Sequence, residues 1–172
     1  MPYKRVPEQQ RVRRRSVLMI PADPAILAYA AGLVDGEGCI SLRRQRQLAG
    51  QSGNGYGLQV TIVNTKVSMI CWLKQHFGAL YGVRRCVRYR SMYEWYVCGK
   101  QAAQFVEAIL PYLVVKREQA QVVIDFMEIG GYYKRGQPFP PDVVAKREAL
   151  KQRLHVLNAR TPMPPKELHA AS

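Results

Sequence analysis

The chain reads as an α+β domain. It has an αββαββα core in which one four-stranded antiparallel sheet is covered by helices on one face, with further helices at the C-terminal side. Three observations predict this. Two pairs of segments alternate in the strand manner, Cys39–Gln47 with Tyr56–Val63 and Val83–Arg90 with Tyr93–Cys98. Each pair is preceded by a segment whose small or apolar residues recur at three- and four-residue spacing, and the second pair is followed by another. The two hairpins can share one antiparallel sheet, and helices on one side of it leave the other face free for polar residues.

Residues 1–20 read as a basic arm, polar as far as Ser16 and rich in Arg near Arg11-Val12-Arg13-Arg14-Arg15. The folded domain is expected over 21–160, and the Pro-rich tail 161–172 is expected to be disordered. Asp23-Pro24 starts the first helix, with a capping acid followed by Pro at the first helical position. It runs to about Asp35, with Gly36 as its stop. Ala28, Ala31, Gly32 and Asp35 share one face of it, and Ile26, Ala30 and Leu33 share the opposite one. The small-residue face allows a second helix to approach closely. After the first strand, Gly50 to Gly57 reads as a glycine-rich connection. Thr65 to Phe77 reads as a helix with Met69, Leu73 and Phe77 in phase and Gly78 at its end. In the second hairpin, Ser91-Met92 is placed at the turn. Helices are expected at about 101–110 and 116–129. Gly130 to Pro141 is a loop, and a last helix runs from Pro141-Asp142 to about Asn158.

The 172 residues suffice for one domain with a real core, and the 48% hydrophobic content excludes a disordered basic tail. A net charge of +14 attracts polyanions, which points to nucleic acid. Cys39, Cys71, Cys86 and Cys98 form no CxxC pair and have no His at zinc spacing. They read as buried free thiols in a reducing compartment. No apolar run approaches a membrane span, and Val17-Leu18-Met19-Ile20 is too short for a signal core. The expected location is intracellular: cytoplasm, nucleoid or an organelle.

Strand alternation lays out the polar face of the sheet. Ser41, Arg43, Gln45 and Gln47 come from the first strand, Gln59 and Thr61 from the second, and Arg84, Arg88, Arg90, Glu94 and Tyr96 from the second hairpin. Arg, Gln and Thr are side chains that read base edges in a major groove. An ordinary solvated face would mix in more Glu and Lys, whereas this set contains one Glu. Beside it stands Glu37, between two glycines just past the first helix. A carboxylate added to the exposed carbonyls of a helix end makes an oxygen-rich site suited to Mg²⁺. One acid is too few for two ions, but two copies packed through the small-residue face would bring two Glu37 carboxylates together. By itself, Glu37 reads equally well as a surface acid in a turn.

The string Ala30-Ala31-Gly32-Leu33-Val34-Asp35-Gly36-Glu37-Gly38 closely resembles the signature of the LAGLIDADG homing endonucleases. A second string, Leu110-Pro111-Tyr112-Leu113-Val114-Val115-Lys116-Arg117-Glu118-Gln119-Ala120, is similar to another run of that family, and the likeness covers most of 24–129. It implies that Glu37 is the metal-binding acid, that the Gly36 carbonyl lies by the metal, and that Asp35 is mainly structural. It also implies that Asn64 orients the active-site water and that Lys116 lies near the scissile phosphates. Without the resemblance, Asn64 reads as a helix cap and Lys116 as a solvated helix start. Asp125 and Glu128 lack the Gly-acid-Gly setting, so the chain has one signature helix and resembles the homodimeric, single-motif branch.

The implied activity is site-specific hydrolysis of double-stranded DNA. In the family, two sheets form a saddle over a long pseudo-palindromic site, which is cut to leave 3′ overhangs. The implied cofactor is Mg²⁺, with Mn²⁺ as a substitute. The implied partners are double-stranded DNA and a second copy of the chain, with no membrane partner, and the implied setting is intron homing. Two other readings use the same scaffold: a maturase that binds intron RNA during splicing, and a non-catalytic DNA-binding regulator.

Overall fold

The computed structural model describes residues 17–44, 56–84, 92–129 and 139–159, with the backbone alone for residue 44 and residues 80–84. Most of the predicted arm, the glycine-rich connection up to residue 55, the loop 130–138 and the tail 161–172 lie outside the described residues.

The element order is α1 (Pro24–Glu37), β1 (Gly38–Arg44), β2 (Tyr56–Asn64), α2 (Val67–Phe77), β3 (Leu80–Arg84), β4 (Met92–Cys98), α3 (Gly99–Ile109), a 3₁₀ turn (Leu110–Tyr112), α4 (Arg117–Glu128) and α5 (Pro141–Asn158). The strands form one antiparallel sheet, as the αββαββα pattern predicts, and their order in it is β1-β2-β4-β3. The 3₁₀ turn was not anticipated.

Alternation in the strands sorts the two faces of the sheet. Ile40, Leu42, Leu58, Val60, Ile62, Trp95 and Val97 are buried against the helices. Helix α3 adds Ala102, Phe105, Val106 and Ile109 at helical spacing, and α2 adds Ile70, Leu73 and Phe77. Phe77, Trp95 and Phe105 form the centre, with ring centroids 5.0 Å apart for Trp95–Phe105 and 5.2 Å for Phe77–Phe105. Each such side chain contributes about 1.5–3 kcal/mol by leaving water. The indole N–H of Trp95 is satisfied by donating to the Gly78 carbonyl at 2.9 Å.

Helix α1 begins as predicted. The Asp23 carboxylate accepts the Ala25 N–H at 2.9 Å, and Pro24 takes the first helical position. Its end differs from the prediction, because the helix passes through Gly36 to Glu37 and turns into β1 at Gly38. A Cβ at Gly38 would lie 2.6 Å from both the Cα and the carbonyl oxygen of Val34, so this close approach requires glycine.

The strand after α2 also departs from expectation. It starts at Leu80 rather than Val83, because Gly78 (φ 64°) and Ala79 (φ 63°) reverse the chain at once after Phe77. The segment from Val17 covers that reversal: Leu18 bridges Gly78, and the Met19 N–H donates to the Phe77 carbonyl at 3.1 Å. Met92, placed in the turn by sequence, is paired in β4 with Arg84.

Helix α5 packs on α4 and beside β1, the edge strand. The Gln119 amide donates to the Leu157 carbonyl at 3.1 Å, and the Asn158 amide donates to the Ile40 carbonyl at 2.8 Å. The Arg147 guanidinium lies over Phe126 and Phe139, at 4.8 and 4.2 Å from the ring centroids. Among the described residues, no helix is long and apolar enough to cross a membrane.

Candidate functional site

Two features meet at the α1–β1 junction: a helix end bearing a carboxylate, and the uncovered face of the sheet. Glu37 is the last residue of α1 and is exposed. The preceding carbonyls are held from a distant part of the chain. Lys116, just before α4, donates from Nζ to the Val34 carbonyl at 2.9 Å and to the Asp35 carbonyl. The Asp35 carboxylate returns the contact, accepting the Val114 N–H and the Lys116 N–H, each at 2.8 Å. Partial burial pushes the Asp35 carboxyl upward, but the N–H groups of Val114, Lys116 and Val115 and the Lys116 charge outweigh it. Asp35 is therefore held below the ordinary aspartate value and stays ionised. The ammonium sits where a helix terminus is negative and offsets it.

Asn64 lies at the same end of the sheet. It closes β2 two residues beyond Ile62, the partner of Gly38. Its side-chain oxygen accepts the Lys66 N–H at 2.8 Å, steering the chain into α2. It closes a turn ahead of α2, whose N-cap is Lys66 with no side-chain capping bond, so Asn64 is not the helix cap that the bare sequence allowed.

The uncovered face carries Ser41, Arg43, Gln59, Thr61, Glu94 and Tyr96 together. Ser41 pairs with Gln59, Thr61 with Tyr96, and Arg43 with Gly57. The Ser41 hydroxyl donates to the Gln59 carbonyl at 3.4 Å. Glu94 is 8% exposed, the most enclosed of the six. The backbone of Arg84 pairs with Met92. Gln45, Gln47, Arg88 and Arg90 lie outside the described residues. Along the β1 edge, Ser41 also lines a cleft of about 290 Å³ with Lys151, Gln152, His155 and Asn158 of α5, residues that the sequence reading did not assign to this surface. Their only signal was the basic, polar character of the last helix.

Solved structures with a similar fold include the homing endonuclease I-CvuI, in a complex with the I-CreI target in the presence of Mg. It is 24% identical with a TM-score of 0.63, over 78% of this chain and 83% of that one. The homing endonuclease I-TnaI is 20% identical with a TM-score of 0.56, over 76% and 92%. The LAGLIDADG homing endonuclease I-GzeII, solved in complex with a DNA target, is 12% identical with a TM-score of 0.54, over 73% and 43%. The chain has the LAGLIDADG homing-endonuclease fold. No protein-family model and no curated protein matches the sequence.

Within the LAGLIDADG fold, α1 is the signature helix, and its faces can be assigned by exposure. Ala28 and Gly32 are exposed, and an added Cβ at Gly32 or Gly36 would meet none of the described residues within 4 Å. Ala31 does not belong with them. It is fully buried beside Ala30, Leu33 and Val34, because the core face of α1 is wider than the spacing suggested. Asp35 also turns inward, to the segment before α4, so the open strip is Ala25, Ala28, Tyr29, Gly32 and Gly36. The cysteines correct a second expectation. Cys39, Cys71 and Cys98 are free but exposed, and Cys86 lies outside the described residues. Among the described residues no three His, Cys, Asp or Glu side chains cluster as a metal site. The Val34 and Asp35 carbonyls accept from Lys116, which leaves Glu37 and the Gly36 carbonyl as candidate donors, an all-oxygen set that fits a hard cation such as Mg²⁺ or Ca²⁺ better than zinc.

Proposed function

We propose that the chain is a site-specific, Mg²⁺-dependent DNA endonuclease that works as a homodimer. One observation carries this reading. On a LAGLIDADG fold, an exposed carboxylate ends the signature helix where that helix meets a sheet whose uncovered face bears Arg43, Gln59, Thr61 and Tyr96.

Each part has a physical role. Glu37, with the Gly36 carbonyl, would hold the cation. When bound, Mg²⁺ supplies charge stabilisation at the phosphodiester and a more acidic water, and Mn²⁺ can substitute. Lys116 and Asp35 fix the helix end, so that Glu37 is presented from a rigid support. Asn64 secures the adjacent strand end and lies within the same region. The sheet sets the register through base edges, with Arg43 and Gln59 as donors to groove acceptors. The exposed strip of α1 would receive the same strip of a second copy, giving one Glu37 for each DNA strand of a long pseudo-palindromic site, cut to leave 3′ overhangs.

The test is a cleavage selection on a randomised DNA library with Mg²⁺, sequencing the cut ends, with EDTA and Glu37→Gln as controls. Wild-type protein is expected to give discrete metal-dependent cuts in paired half-sites. Glu37→Gln should retain the selected DNA and lose about 100-fold or more in cutting rate, the scale of removing one electrostatic stabiliser. Undiminished cutting by that variant removes Glu37 from the mechanism. DNA retained without any cutting by the wild type would favour a regulator, and retention of intron RNA alone would favour a maturase.

A further inference from the structure

Among the described residues, the uncovered face also carries two exposed cysteines. Alternation puts Cys39 on the side of β1 that carries Ser41 and Arg43, and Cys98 on the side of β4 that carries Glu94 and Tyr96; both are exposed. Register ties them into the grid. Cys39 stands opposite Thr61, which stands opposite Tyr96, and Cys98 stands opposite Gln59, which stands opposite Ser41. Each sulfur is therefore next to a side chain that can bond a base edge, and Cys39 follows Glu37 by two residues.

Free cysteine behaves as a small apolar group with a weak donor and usually lies in the core. Neither residue contributes to the core here. Partial burial pushes the Cys98 thiol up; the Arg43 charge opposes this and Glu94 adds to it, so Cys98 is a neutral thiol at pH 7. A neutral, compact, polarisable group is not repelled by phosphates. The apolar feature it can match in a major groove is the C5-methyl of thymine, which Thr and Gln hydrogen bonds leave unread.

Resting on the reading that this face meets DNA, we propose that Cys39 and Cys98 are specificity-determining residues. Each packs its thiol against a thymine methyl while Thr61 and Gln59 beside them bond polar base edges.

The test uses the full chain, DNA retained from a randomised library, and N-ethylmaleimide, with alkylation of each cysteine followed by mass spectrometry. Cys71 is an internal reference, because it is exposed on α2 in the helical layer. Bound DNA is expected to slow alkylation of Cys39 and Cys98 by about tenfold or more while leaving Cys71 at its free rate, since thiol reactivity follows access. Cys39→Ala and Cys98→Ala should each relax the preference for thymine at one base-pair position per half-site by about fivefold to tenfold, with other positions unchanged. Both results are required. Unprotected thiols on saturating DNA, or protection with unaltered preference, overturn the proposal while DNA binding stands. If the wild type retains no DNA, the binding reading falls and the proposal falls with it.

Discussion

Asp35 shows how one side chain can join two parts of a site. Its carboxylate receives two N–H groups from the segment before α4, and that segment sends the Lys116 ammonium back to the end of α1. Hydrogen bonds to a charged acceptor are the stronger kind, and donors left without it are costly. Asp35→Ala is expected to lower stability by about 2–3 kcal/mol in urea unfolding at pH 7. The pH dependence has a definite sign. The folded-state pKa lies below the ordinary 3.8, so the stabilisation is fully present above that value and is lost as pH falls through the depressed one. The variant should therefore show a shallower loss of stability in acid than the wild type. Parallel acid limbs would mean that the carboxylate charge contributes nothing.

Between elements, the comparable fastening joins α5 to the start of β2. The Tyr56 hydroxyl donates to Glu148 at 2.6 Å, and Lys151 donates to the other oxygen at 2.7 Å. The Lys151 hydrogen bond, then that of Tyr56, then that of Gln152, bring the Glu148 carboxyl down from 4.5 to about 2. Its contribution is present above 4.5 and disappears as pH falls toward 2. Tyr56→Phe should raise the Glu148 midpoint toward the ordinary value, as followed by carboxyl ¹³C shifts in an NMR titration. An unmoved midpoint would show that Lys151 and Gln152 account for it without Tyr56. Contacts of this kind mark the limit of what the sequence could reveal. The start of α1 was legible because Asp23 and Pro24 act within one turn. Its end was not, because the carbonyls of Val34 and Asp35, just before Gly36, are satisfied by Lys116 from far along the chain. The four strands were legible from alternation, but the start of β3 depended on the reversal at Gly78 and Ala79. The exposed Cys39 was legible in principle, since it shares the parity of Ser41 and Arg43. Cysteine's usual preference for the core points the other way. The polar face emerged from the same alternation, whereas the inward turn of Asp35 and the burial of Ala31 required tertiary packing.

At the scale of the whole molecule, a net charge of +14 and a carboxylate at the rim of an open face suit the proposed arrangement, a polyanion held between two copies. Gly32 tests the proposed second copy without disturbing the first, because a Cβ there would meet none of the described residues within 4 Å. Gly32→Leu is expected to leave the monomer folded, and even to gain up to about 1 kcal/mol from helix propensity. It should abolish the dimer in sedimentation velocity by holding two α1 helices apart. A persistent dimer would move the interface off this strip. The contact from Asn158 to Ile40 has a further consequence, in time rather than in space. The two residues are 118 positions apart, so the free edge of the first strand is covered only after the last helix has been synthesised. At ribosomal speeds of roughly 5–20 residues per second, that edge waits on the order of ten seconds in the nascent chain. During that interval its unpaired carbonyls are open to any other strand, and α5 is the element whose arrival closes the window.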